Sequence, residues 1–239
     1  MKRKDFSNIK IEVQKEKNKY FEHENYIAGT PPFLRGVHSF PKDQYPLNQN
    51  KQNTIIKLDL SDIDFNNKIN ETLENKTETS LISISNNTEV NSEIQIAELL
   101  LKTHKLFAEC IKTGIKIDAI ASEISFSWNT TNNLPSEIAK IRATRLLWAK
   151  MINQFQPKNT KSLALQIHIE EDDYLSLLIA ITGNTQYDSK NNNFLKQNST
   201  ETFTTKTIDP WAGSTVIEKL TEDFTLKTWN LFSTLLKKE

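Results

Sequence analysis

The segment "SLISISNNTEVNSEIQIAELLLKTHKLFAECIKTGIKIDAIASEISFSW", residues 80–128, decides the fold. Residues 80–87 predict a strand bounded by Asn, and apolar residues recur at helical spacing across residues 92–114. We expect Ser92 to be the N-cap of that helix and Gly114 to end it. The segment closes with a second predicted strand. A strand, a helix and another strand in this order are typical of a parallel α/β unit.

Strand and helix patterns continue to alternate on both sides of this segment. The expected elements are a strand at 54–63, a short helix or loop at 65–77, a helix at 134–155 with Pro135 in its first turn, a strand at 162–171, a short helix or apolar strand at 174–183 and a last helix that Asp209 caps. This alternation predicts an α/β protein with parallel strands. Because a complete (β/α)₈ barrel takes about 250 residues, we interpret residues 54–239 as an incomplete or trimmed TIM-type (β/α) barrel domain.

Residues 1–53 predict an extended N-terminal arm that precedes the barrel. The arm is polar, and its stretch "IAGTPPFLRGVHSF", residues 27–40, carries Gly and Pro beside Arg35 and His38. Proline fixes its own backbone and disfavours helix in the residue before it. We therefore expect the arm to lie extended on another surface.

The composition excludes several classes of partner. The chain has 30 basic and 30 acidic residues, so no net charge draws it to nucleic acid or to an anionic membrane. No segment approaches the roughly 20 apolar residues that a membrane span needs, and the start "MKRKDFSNIK" lacks the apolar run of a secretory signal. The single Cys110 cannot build an internal disulfide framework, and we expect it in the core. These features predict a cytoplasmic protein that binds neither nucleic acid nor membrane.

The patterns that bind phosphates or metals in other proteins are missing here. No GxGxxG or GxxxxGKS/T occurs, which argues against an ordinary nucleotide site. The run Glu170–Asp173 is interpreted as a solvated loop, because consecutive carboxylates of an extended chain point to opposite faces. No metal site is predicted. Arg142 and Arg145 lie three residues apart on one helix, where they either touch a ligand or form an interface or helix-packing pair.

Further segments resemble one enzyme family. They are "FEHENYIAGTPPFLRG" at 21–36, "IAKIRATRLLWAKMI" at 138–152, "TGNTQYDSKNNNFL" at 182–195 and "TIDPWAGSTVIEKLT" at 207–221. Together with residues 80–128, and in the same order, they resemble the catalytic-domain portion of methylmalonyl-CoA mutase. The resemblance implies a radical carbon-skeleton rearrangement of an acyl-CoA with adenosylcobalamin. It also implies that the thioester lies along the barrel axis and that a separate domain binds cobalamin.

Several residues depart from the family pattern. The cobalamin motif D-x-H-x-x-G does not occur in the sequence, so we expect no cofactor in this chain and adenosylcobalamin only in the family or in a partner subunit. His38 stands where the resemblance places a substrate-facing Tyr, and Glu123 where it places an Arg suited to a CoA phosphate. The strand that carries a thioester-binding His in the family ends here in Asn86 and Asn87. These changes predict that the chain alone is inactive.

The resemblance also assigns the candidate site residues. His38 and His168 are the catalytic candidates, with a loop residue and a core or edge histidine as the competing interpretations. The substrate-binding candidates are Arg35, Ser125, Gln166, Thr185 and Gln186. An active enzyme would need most of these residues to face one acyl-CoA.

Three functions follow as hypotheses. The first is a non-catalytic or degenerate small-subunit-like chain that forms a heterodimer with a larger, catalytic mutase subunit. The second is an active acyl-CoA mutase that interconverts methylmalonyl-CoA and succinyl-CoA with cobalamin supplied by a partner. The third is an inactive gene remnant, which the Asn-rich stretch "SKNNNFLKQNSTE" and the shortened barrel suggest.

Overall fold

The computed structural model describes residues 21–39, 55–59, 81–85, 91–169, 173–187 and 206–238. The predicted short helix or loop at 65–77, the first three residues of the acidic run and the boundary between arm and barrel lie outside these ranges. The division of the chain at residues 53 and 54 therefore stays a prediction.

Five strands form one sheet in which every neighbouring pair is parallel. They are β1 (Ile55–Asp59), β2 (Leu81–Ser85), β3 (Ile124–Trp128), β4 (Gln166–Ile169) and β5 (Gln186–Tyr187). Their order in the sheet is their order along the chain. Right-handed crossovers in one direction place the connecting helices on one face, as in a (β/α) barrel, whereas a doubly wound sheet reverses its strand order. The predicted α/β class with parallel strands is confirmed.

The described strands form an open sheet. Among them, β1 pairs only with β2 and β5 pairs only with β4. This arrangement is compatible with part of a barrel, and closure into a complete ring stays a prediction.

Five α-helices flank the sheet in the described ranges. They are α1 (Ser92–Lys112), α2 (Ile117–Ala121), α3 (Leu134–Asn153), α4 (Tyr174–Thr182) and α5 (Thr215–Lys237), with a 3₁₀ turn at Thr160–Leu163. The alternative at 174–183 is thus resolved as a helix.

Two predicted helix caps are wrong. Asn91, not Ser92, is the N-cap of α1, and its side chain accepts the hydrogen bond from the Glu93 amide. Ser214 is the N-cap of α5, whereas Asp209 lies before it and binds arginine side chains instead. Asp209 lies five residues before Ser214, so its carboxylate binds Arg35 and Arg142 and not the amides of the first turn of α5.

The core lies between the sheet and α3, and other elements cover α3 on both of its sides. Trp148 of α3 packs edge-to-face against Phe126 of β3 and Phe107 of α1, at ring-centroid distances of 5.6 and 5.7 Å. On its other side α3 packs along α5. Cys110 is buried in this core, as predicted. A helix enclosed in this way buries its charged residues too, and these need partners inside the protein.

Candidate functional site

One face of the sheet carries polar side chains on neighbouring strands. The register pairs Ser125 with Gln166, Ser127 with His168, and His168 with Gln186. Side chains alternate along each strand, so residues that are paired in this register lie on the same side of strands about 4.8 Å apart. Ser125, His168 and Gln186 are buried, and the other two are half-buried. We call these five residues the polar face.

The opposite side of the sheet is apolar and packs against the helices. Ile124 and Phe126 alternate with the two serines of β3 and are buried, and Phe126 contacts Trp148 of α3. Because the helices cover this side, the polar face is directed toward what is the interior in a closed barrel. In the backbone register, Ser83 and Ser85 of β2 pair with Ser125 and Ser127.

Hydrogen bonds join the loops at the carboxyl ends of the strands. Thr130 Oγ1 lies 2.6 Å from Ser176 Oγ, which donates to the Asp173 carboxylate. Tyr187 Oη donates to Asp173 O at 3.3 Å, and the Ser176 amide donates to Asp173 Oδ1 at 3.0 Å. Partial burial by itself would raise the pKa of Asp173, but the hydrogen bonds from Ser176 hold it below its usual range. Asp173 is therefore a charged N-cap of α4 beside the end of β4.

A buried ion pair supports the same edge of the sheet. Lys140 Nζ donates to Glu137 Oε1 at 3.2 Å and lies 3.0 Å from Glu137 Oε2. The backbone amide and hydroxyl of Thr131 also donate to Glu137 Oε1, at 3.3 and 2.9 Å. Lys140 Nζ lies 4.3 Å from the centroid of the Trp128 ring. These contacts hold the loop between β3 and α3 against the first turns of α3.

Charged side chains from three distant segments meet in a second buried cluster. We call it the arm network; its members are His23, Arg35, Arg142, Asp209 and Glu218. Arg35 donates to Asp209 Oδ2 at 2.7 Å and to Glu218 Oε1 at 2.9 Å. Arg142 donates to Asp209 Oδ1 at 2.7 Å and to Glu218 Oε1 at 3.1 Å. His23 Nε2 lies 3.1 Å from Glu218 Oε2. Two carboxylates thus bridge two guanidinium groups and bind the arm to α3 and α5.

The partners of Glu218 in the arm network keep its carboxylate charged. Burial alone would raise the pKa of Glu218, but the hydrogen bond from His23 and the charges of Arg142 and Arg35 outweigh it and lower the pKa to about 2. Burial alone would lower the pKa of Arg35, yet its bonds to Asp209 and Glu218 raise it above its usual value. Glu218 and Arg35 are therefore both ionised at neutral pH.

The structure brings four of the seven candidate site residues together. These four, all on the polar face, are Ser125, Gln166, His168 and Gln186. Arg35 lies in the arm network, and Thr185 Oγ1 donates to Ala180 O of α4 at 3.5 Å. His38 is half-buried in the arm, where its carbonyl accepts a hydrogen bond from Asn184 Nδ2 at 3.2 Å. The roles of all seven toward a substrate stay predictions.

The four histidines of the chain lie in four unlike settings. His23 belongs to the arm network, His38 to the arm and His168 to the polar face. His104 packs between two phenylalanine rings at centroid distances of 5.1 and 6.1 Å, and burial lowers its pKa. The described ranges contain no group of three or more His, Cys, Asp or Glu residues that could hold a metal ion. In the same ranges, no helix is long and apolar enough to cross a membrane.

Comparison with known sequences decides the family. The family model for methylmalonyl-CoA mutase matches residues 65–184 and 188–238. The chain belongs to the methylmalonyl-CoA mutase family. It is 34% identical over 152 residues to the methylmalonyl-CoA mutase large subunit of Streptomyces virginiae, covering 49% of this chain and 20% of that protein. The large subunit of Porphyromonas gingivalis is 33% identical over 174 residues, covering 59% and 24%. The mitochondrial mutase of Homo sapiens is 34% identical over 148 residues, covering 47% and 20%.

The match to the mutase family confirms the resemblance and also limits it. The chain spans about a fifth to a quarter of the length of the curated relatives it matches. The matched ranges contain β2 to α4 and α5 but not β5, so every residue of the polar face except Gln186 lies within them, while the described part of the arm precedes them.

Sequence reasoning missed the arm network and the Glu137–Lys140 pair. The signal was present, because Arg142 and Lys140 interrupt the apolar residues of a helix that the pattern places in the core. A charge at such a position needs buried acceptors or a group of opposite sign as its partner. The sequence does not say which of 30 acidic residues that partner is.

Proposed function

We propose that the chain is a non-catalytic member of the methylmalonyl-CoA mutase family that pairs with a larger, catalytic mutase subunit. The arm network carries this proposal. It joins three of the family-like segments, and the charges that those segments retain are used to hold the arm, α3 and α5 together. Arg35 and Arg142 thereby act as scaffold residues, and neither needs a substrate to balance its charge.

The charges near the polar face also disfavour turnover of an anionic thioester. Asp173 is held ionised beside the carboxyl end of β4. Glu123, half-buried directly before β3, replaces the Arg that the family resemblance places there. A carboxylate repels the CoA phosphates that an Arg would bind. The relatives from Streptomyces virginiae and Porphyromonas gingivalis are named large subunits, which supports a partner subunit in this family.

Co-expression tests the pairing. The tagged chain and a full-length mutase large chain from the same source are produced together and separated by size-exclusion chromatography at physiological salt. We expect both chains in one peak, in equal amounts. A chain that elutes alone at its own size would reject the proposal. The large chain should isomerise succinyl-CoA at the same rate alone, with the unmodified chain and with the His168→Ala variant.

The polar face favours a second candidate function, namely binding of an acyl-CoA. Within the described residues, Oε1 of the buried Gln186 has no hydrogen-bond partner. A buried acceptor left in this state costs about 1–3 kcal/mol, which a donor on a ligand would recover. Gln186 is paired in register with His168, so both could contact one acyl-CoA, whose pantetheine amide N–H groups are donors that Oε1 could accept from. In an active enzyme the partner subunit would supply adenosylcobalamin.

Calorimetric titration with succinyl-CoA tests this second function without any cofactor. Gln186→Ala and His168→Ala should each weaken binding about tenfold, in proportion to one lost hydrogen bond. Gln154→Ala, at an exposed residue after α3, is the matched control. No heat of binding in the unmodified chain would leave only the scaffold role.

The gene-remnant hypothesis and the location are tested separately. A helix that is buried with its charges paired predicts one cooperative thermal transition. A broad, non-cooperative melt would support the remnant instead. The cytoplasmic location stays a prediction, which cell fractionation would check.

A further inference from the structure

We propose that Asn184 is a positioning residue that fixes His38 of the arm beside the start of β5. Asn184 Nδ2 lies 3.3 Å from Arg35 O and 3.2 Å from His38 O, and it donates to both carbonyls. The side chain is 6% exposed, so water cannot easily replace these bonds. One amide group therefore binds the arm at two points, three residues apart.

The backbone of Asn184 is itself held in place. Its φ of 54° lies in the left-handed region, which Asn tolerates better than most residues. Arg145 of α3 donates to Gly183 O at 2.8 Å and to Asn184 O at 2.7 Å. These charged hydrogen bonds fix the peptide from which the Asn184 side chain extends. The amide is thus aimed at the arm by the body of the protein.

The arm is shaped to receive this amide. Gly36, between the two carbonyls that Asn184 binds, has a φ of 120°. A Cβ at Gly36 would lie 2.0 Å from Asn184 Nδ2, so only a glycine leaves room for the contact. The Gly36 carbonyl in turn accepts a hydrogen bond from the Gly29 amide at 2.9 Å, which closes the turn of the arm. Gly36 and Asn184 therefore form a matched pair.

This contact is distinct from the arm network, and Asn184 lies two residues before Gln186 of the polar face. The arm network holds Arg35, whereas Asn184 binds the arm beyond it, as far as His38. Asn184 precedes Gln186 by two residues, or about 7 Å along an extended chain. His38 is thereby held near the amino end of β5, where the polar face begins. A role of His38 toward a ligand rests on the proposed acyl-CoA site. The contact between Asn184 and the arm rests only on the two hydrogen-bond distances.

Asn184→Gly is the direct test, because glycine keeps the left-handed backbone and removes only the amide. The matched control is Gln156→Gly, at an exposed residue after α3 whose φ is 53°. Hydrogen exchange of the peptide 33–39 and the ring-proton NMR signals of the 4 histidines are measured in the unliganded chain. We expect exchange at least tenfold faster and a shifted His38 signal in Asn184→Gly, with the His104 signal unchanged. Gln156→Gly should alter none of these.

Each outcome decides the proposal. If Asn184→Gly melts cooperatively and neither the exchange nor the His38 signal changes, the proposal is wrong. If that variant does not fold, Asn184→Asp replaces it, since the carboxylate cannot donate to the two carbonyls. Arm exchange as slow as in the unmodified protein would then overturn the proposal, and faster exchange would support it. The measurement contains no ligand and no second subunit, so it stands apart from the tests of pairing and acyl-CoA binding.

Discussion

Replacing Glu218 with Gln removes the negative charge that two guanidinium groups share and keeps the size of the side chain. Glu218 is 1% exposed, and its Oε1 lies 2.9 Å from Arg35 Nη2 and 3.1 Å from Arg142 Nη1. Its pKa falls from 4.5 to about 2 on folding, which corresponds to about 3 kcal/mol of stabilisation at neutral pH. Removing one partner of a buried ion pair costs a similar amount, about 3–5 kcal/mol. We expect Glu218→Gln to lower the free energy of unfolding by about 3 kcal/mol at pH 7.

The pH dependence of this loss gives a second check. Because the pKa of Glu218 is lower in the folded state, the stabilisation is complete above the unfolded value of 4.5 and disappears as the pH falls through about 2. Near pH 3 about half of it should remain. Urea unfolding followed by circular dichroism at pH 7 and pH 3 measures both values. Asp223→Asn, on the same helix at a half-buried residue, is the control and should change stability by less than about 0.5 kcal/mol. A loss below about 1 kcal/mol at pH 7, or an undiminished difference at pH 3, would refute the reasoning.

Three further substitutions probe other contacts. Gly36→Ala should destabilise the chain by about 1–3 kcal/mol through its left-handed backbone and should speed hydrogen exchange of the arm by displacing Asn184; unchanged exchange would contradict this. Glu137→Gln should lower the free energy of unfolding by about 3 kcal/mol, because it leaves Lys140 charged and buried. In urea unfolding, the double variant with Lys140→Met should recover most of this loss. An equal loss in the single and the double variant would count against the ion pair. The Asp118 carboxylate accepts hydrogen bonds from the backbone amides of Lys158 and Asn159, at 3.0 and 3.1 Å. Asp118→Asn should speed hydrogen exchange of these two amides. The hydrogen bonds lower the pKa of Asp118. The two amides should therefore stay protected from exchange at neutral pH and lose this protection only as the pH drops through the lowered pKa.

Local patterns predicted the type and order of the elements. Residues 92–114 and 134–155 read as helices because burying one stripe of a helix requires apolar residues at a fixed spacing, and α1 and α3 occupy these ranges within a few residues. The pattern does not fix the ends of the helices, because Asn91 and Ser92 both suit an N-cap and only the backbone decides between them. The run at 174–183 fitted a helix and a strand equally, because a short, continuously apolar stretch has no period.

The sequence by itself determined the α/β alternation, the parallel sheet and the mutase family, because each rests on local patterns that recur in a fixed order along the chain. It also pointed to Ser125, Gln166, His168 and Gln186, and the strand register then placed them on one face. Only the tertiary structure decided which charges of the arm network are paired.

The pairing in the arm network shows why. Arg35 and Glu218 are 183 residues apart in the sequence, and Arg142 and Glu218 are 76 apart. No local periodicity selects one carboxylate among 30 acidic residues. A buried guanidinium is stable where folding brings carboxylate or carbonyl oxygens within about 3 Å of it, and that proximity is a property of the packed helices rather than of any segment alone.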